Sequence, residues 1–155
     1  MTPGNWSGTF PPNGVKTLNS GTYFINGNFR PNAHDELSGA GVTVFMQSGD
    51  IDWNGGPKVN LSAPTSGDLS GLLIYAPMSN TNSMSFNGNA ASTLTGTIFM
   101  PAAPLVYNGT GNLNPSHVQI IGYTIELTGS NQTYVVYQDA DNWDAHMPAK
   151  VGLME

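Results

Sequence analysis

A chain of 155 residues, 39% of them hydrophobic, has room for the core of one domain. Its net charge is −6, and the four basic residues, Lys16, Arg30, Lys58 and Lys150, stand singly, which excludes nucleic acid as a partner because phosphate neutralisation needs clustered cations. The absence of cysteine excludes disulfides, thiolate-bound zinc and thiol catalysis, and no apolar run approaches the roughly 18 residues of a membrane-spanning helix.

Only 9% of the residues are charged, against roughly a quarter in an average soluble domain, so amides, hydroxyls and glycine must supply the polar surface. Residues Met1–Lys16 hold Pro3, Pro11 and Pro12 around Trp6 and Phe10. That mixture predicts an irregular arm whose two aromatics cap the open end of the fold behind it. From Thr17 onward the chain repeats one unit: a corner glycine, a short apolar strand, a turn, a second strand. The first rung runs Thr22–Ile25 to a turn at Asn26-Gly27, passes a polar excursion at Pro31–Glu36 and closes through Leu37–Gly41. The second runs Val42–Met46, turns at Ser48-Gly49, alternates through Ile51-Asp52-Trp53, turns at Asn54-Gly55-Gly56 and continues Val59-Asn60-Leu61.

The third rung pairs Leu72–Tyr75 with Met84–Phe86, and the fourth pairs Thr97–Met100 with Leu105–Tyr107. Val118–Leu127 is the fifth, and a last alternating strand at Thr133–Tyr137 precedes an acidic tail. Corner glycines at 41, 71, 96 and 122 are spaced 30, 25 and 26 residues apart, a solenoid-sized period with no helix-length pattern inside it. An all-β, right-handed parallel β-helix of about five rungs follows, with a cap at 1–16, the solenoid at 17–138 and an acidic tail at 139–155. The competing arrangement is an antiparallel sandwich, in which each Asn-Gly would close a hairpin.

Asn60–Gly67, followed by Leu69–Tyr75, and again Leu94–Pro101, carry a resemblance to a known group. These stretches resemble the C-terminal β-helical region of TadG-like proteins, surface proteins associated with the bacterial tight-adherence (Flp-type) pilus. The likeness covers about Thr17 to Leu127. It implies a role in pilus assembly, anchoring or adhesion at the cell surface or in the periplasm, as the distal part of a longer protein with a pilin-like helix at its start. It brings no catalytic residues with it. The phrase Leu94–Ile98 and the Asn-Gly corners also resemble bacterial and fungal ice-binding β-solenoids, more weakly.

Parallel β-helices include enzymes that cleave polysaccharides, and Asp50 and Asp52, two apart on one strand, are the only candidate acid pair for such chemistry. His34, His117 and His146 lack triad or zinc spacing and read as loop histidines. No cofactor is expected, with Ca²⁺ as the one candidate: Asp139, Asp141, Asn142 and Asp144 offer alternate oxygens to a hard cation, without the glycine bend of an EF-hand loop. Phe45, Phe86 and Phe99 are expected in the core. Trp53 and Tyr107 are expected as a surface platform for a sugar ring. Thr17, Thr22, Thr43, Thr95, Thr97 and Thr124 form an ice-binding array only if they share one face, and Leu72 and Leu73 interrupt it. The expected function is structural and adhesive, with envelope or pilus proteins or surface glycans as partners and end-to-end self-association through free strand edges.

Overall fold

The computed structural model describes residues 1–89, 91–110, 117–128 and 137–144. Eleven strands follow one another: β1 (Gly4–Phe10), β2 (Thr17–Leu18), β3 (Gly21–Phe29), β4 (Glu36–Gly39), β5 (Val42–Ser48), β6 (Ile51–Trp53), β7 (Lys58–Ser62), β8 (Leu72–Tyr75), β9 (Met84–Asn89), β10 (Thr93–Thr110) and β11 (Val118–Thr128). All pairings among the described residues are parallel. The chain is a parallel β-solenoid of about five turns, and the antiparallel sandwich is excluded.

Each coil has three faces. Face one stacks the first half of β3 on β5, β8, the Gly96–Phe99 part of β10, and β11. Face two stacks the end of β3 on β6, β9, the Leu105–Thr110 part of β10, and the end of β11. Face three is narrower and consists of β2, β4, β7 and Thr93–Thr95. Parallel pairing without a register shift puts equivalent positions directly above one another, so one inward residue per rung becomes a column.

Those columns are the core. Tyr23, Val44, Ile74 and Ile98 line face one from inside, and Leu18, Leu61 and Leu94 line face three. Inside face two the rings of Phe10, Phe29, Trp53, Phe86 and Tyr107 follow one another with centroids 4.9 to 6.3 Å apart, most of them edge to face. Edge-to-face contact sets the positive ring rim against the negative face of its neighbour. Phe86 is therefore in the core as expected.

Four aromatic assignments are corrected. Trp53 is 1% exposed and Tyr107 9%, so neither offers a ring face to a sugar. Phe45 and Phe99, expected inside, point outward and are half-buried. Period-two alternation determines which residues share a side, and the neighbours decide which side is in. Val44 and Met46 bury the even positions of β5, and Ile51 carries Trp53 inward with it.

The arm at 1–16, expected to be irregular, contains a regular strand: β1 lies in register on β3 from Gly4↔Tyr23 to Phe10↔Phe29. Its Asn5, Ser7 and Thr9 point to solvent, which hides the strand pattern from a hydrophobicity reading. The terminal ammonium donates to the Thr17 carbonyl at 2.8 Å. At one corner Gly8, Gly27 and Gly49 stack. A Cβ on Gly49, whose φ is +80°, would overlap the carbonyl oxygen of Gly27, and one on Gly27 that of Gly8. Only glycine fits such a stack. Gly122 forms no corner and lies inside β11.

Trp53→Ala would open a cavity between Phe29 and Phe86. It should cost about 3–5 kcal/mol, read as a lowered denaturant midpoint in equilibrium unfolding.

Candidate functional surface

The outer side of face three carries short polar side chains in register. Thr17, Ser38, Asn60 and Thr93 form one column across four strands, and Ser62 lies beside Thr95 in the next. Gly39 and Ala40 contribute almost no side chain between them. The result is a hollow of about 450 Å³ with Leu18 and Leu61 at its floor, within the roughly 300–1,000 Å³ of small-molecule sites. The Asn60 Oδ1 accepts the Thr93 backbone N–H at 3.0 Å, which fixes the amide across the rung boundary.

No ionisable side chain among the described residues lines this hollow. At its rim Glu36 and Lys58 are in register and pair at 2.7 Å. The hydrogen bond from Lys58, and then its charge, holds the Glu36 carboxyl below the usual carboxylate range. Such a surface offers hydroxyl and amide groups beside methyl groups.

Face one is different. Outward rings of Phe24, Phe45, Tyr75 and Phe99 run up it in successive rungs, with centroids 5.4, 4.6 and 6.0 Å apart. Their neighbours in the column are too close for a sugar to slip between the rings. Thr43 and Thr97 beside them are buried, and the Thr43 hydroxyl donates to the Leu72 carbonyl at 2.8 Å. The six threonines that an ice-binding array would need on one face are divided: Thr22, Thr43 and Thr97 on face one, Thr17 and Thr95 on face three, Thr124 on face two.

The acid pair has a partner that sequence reasoning missed. Arg30 donates to Asp50 at 2.8 Å and lies 3.7 Å from Asp52. Phe29 pairs with Ile51, so Arg30 is one rung from Asp52, although 22 residues separate them in the chain. Coil length was the signal available. The guanidinium bridges the two carboxylates, and at this exposure each pair contributes about 0–1 kcal/mol.

The candidate calcium ligands diverge. Asp139 accepts the Tyr137 hydroxyl at 2.9 Å, which raises the Tyr137 pKa, and Asp141 pairs with His117 at 2.9 Å. The Asn142 amide donates to the Gln138 carbonyl, and Asp144 is exposed. Among the described residues no three acidic or histidine side chains converge on a point. His117 is thus tied to the tail rather than idle in a loop, and His34 sits exposed at φ +65°. His146, the strand expected at Thr133–Tyr137 apart from its last residue, and the tail beyond Asp144 lie outside the described residues.

No protein-family model, curated protein or solved structure matches this chain. No helix among the described residues is long and apolar enough to cross a membrane.

Burial pushes the Tyr107 phenol up to about 12. The folded chain therefore keeps this proton while the unfolded chain releases it near 10. Stability should hold below about pH 10 and fall by about 2–3 kcal/mol between pH 10 and 12. Tyr107→Phe should remove most of that slope in alkaline denaturation, leaving the part owed to Tyr23, whose pKa burial also raises.

Proposed function

We propose that this protein is a non-catalytic, adhesive β-solenoid that presents face three to an uncharged glycan chain. The observation that carries the reading is the hollow itself: hydroxyl and amide groups in register over four strands, beside methyl groups, with no ionisable side chain. A pyranose presents both hydroxyl edges and C–H faces, and this surface sets polar side chains beside an apolar floor. Rungs spaced roughly 4.8 Å apart repeat the same contact along the axis, so a chain of sugars gains contacts with each residue added. The low overall charge favours neutral ligands over anionic ones.

Location at the bacterial cell surface, in a protein of the TadG-like, tight-adherence pilus group, is part of the same proposal. It rests on the resemblance of Asn60–Tyr75 and Leu94–Pro101, and is supported by a rigid fold that offers surface instead of a reacting centre. The Arg30 contact to Asp50 and Asp52 weighs against a polysaccharide-cleaving reading, since both carboxylates are held by a guanidinium on the neighbouring coil instead of facing an open cleft.

A glycan array tests the ligand class. The wild-type protein should bind uncharged oligosaccharides, and Ser62→Ala with Thr95→Val should weaken that binding at least tenfold while the melting midpoint stays within a few degrees. An array with no signal, or signal unchanged in the double variant, contradicts the assignment of face three.

A further inference from the structure

The segment Tyr137–Asp144 lies across the outer side of face one, and its contacts reach three successive rungs. Its backbone at Asn142 packs against Gly71, where a Cβ would overlap the Asn142 carbonyl carbon. The Trp143 N–H donates to the Thr97 hydroxyl oxygen at 2.8 Å, and the indole meets Phe99 edge to face at 5.6 Å. Asp141 reaches His117, just before the fifth rung, at 2.9 Å.

The four parts of this seat are placed by the solenoid. Gly71 precedes β8, Thr97 and Phe99 belong to β10, and His117 precedes β11, with register set by Thr97↔Leu72, Thr97↔Gln119 and Phe99↔Tyr75. The segment adds no strand to the sheet. It is organised locally by a single 3₁₀ turn at Asp139–Asp141, with the Asn142 N–H returning to the Asp139 carbonyl. A surface built by three successive rungs is thus covered by a short later piece of the same chain.

We propose that Tyr137–Asp144 is a detachable strap, and that its seat on face one is a peptide-binding site for extended segments carrying a carboxylate two residues before an aromatic ring. The requirement is read from the resident ligand, Asp141-Asn142-Trp143. The gap at Gly71 admits backbone and no more. The Thr97 hydroxyl takes a backbone N–H, Phe99 takes a ring, and His117 takes the carboxylate. Three of these contacts use groups that an extended segment of another chain can equally bring. The strap fills the seat in cis, and a segment of the same pattern competes for it in trans. This inference is independent of the glycan reading of face three, because no residue is shared between the two surfaces.

The test uses the full chain and a labelled synthetic peptide of residues 137–144. Trp143→Ala should leave the circular dichroism spectrum and melting midpoint close to wild type, because Trp143 lies outside the core. The peptide should bind this variant saturably and bind wild type at least tenfold more weakly, since the seat is filled. A peptide with alanine for its tryptophan should bind neither protein, and adding Thr97→Val to the variant should weaken binding several-fold. Equal binding to wild type and variant, or binding to neither, overturns the proposal. Hydrogen exchange gives a second readout that needs no variant. The Trp143 amide of the wild-type chain should exchange through local opening, well before the amides of β8 and β10, whereas exchange only with global unfolding would show that the strap does not detach.

Discussion

Parallel backbone pairing between successive coils is the constraint from which the other features descend. Each strand donates and accepts along the solenoid axis, so a residue's environment is set by the same position one rung below and one rung above. Inward positions therefore become columns: Trp53, Phe86 and Tyr107 stand at equivalent steps inside face two, and Phe29, in register with Ile51, extends the run of rings by reaching Trp53 edge to face. Burying such rings is worth roughly 25 cal/mol per Å² of apolar surface removed from water. With only 9% charged residues, ion pairing has little part in stability, and the exposed Arg30 and Lys58 pairs each contribute modestly.

The same constraint shapes the outer surface. A side chain on the outside is also repeated, with variations, in each rung, which produces strips where a globular fold would have patches. Face three carries a strip of hydroxyls and amides, face one a strip of rings, and the corners a stack of glycines. Function in such a molecule is read from what a strip repeats. On the reading proposed above, the polar strip would meet a ligand that is itself a repeating neutral chain. The aromatic strip is already engaged at one end by the chain's own tryptophan.

Much of the fold was legible because corners and alternation are local. Asn-Gly and Ser-Gly turns, period-two strands and the solenoid-sized spacing of Gly41, Gly71 and Gly96 all sit within a few residues of what they control. The side of the sheet on which an aromatic falls was not legible, because Phe45 and Trp53 both stand in alternating strands and only contact with neighbouring rungs separates outward from inward. Nor was Arg30 linked to Asp50 and Asp52, since that contact depends on the length of a whole coil. The arm at 1–16 concealed β1 because a strand that pairs through its backbone and faces water with Asn5, Ser7 and Thr9 carries little apolar signal. The polar strip of face three was hidden for a related reason: Thr17, Ser38, Asn60 and Thr93 share no type and no fixed spacing, and only register assembles them. The tail's contact with Thr97, 46 residues away, had no sequence signal at all.

The measurement that bears most directly on this account is a set of backbone nuclear Overhauser contacts in the isotope-labelled chain. Parallel stacking predicts cross-strand contacts linking Ser38 to Asn60 and Asn60 to Thr93, together with Phe45 to Tyr75 and Tyr75 to Phe99, all in the spacing of parallel strands. Contacts that instead join strands adjacent in sequence across their Asn-Gly turns, with the short Hα–Hα distances of antiparallel pairs, would contradict it.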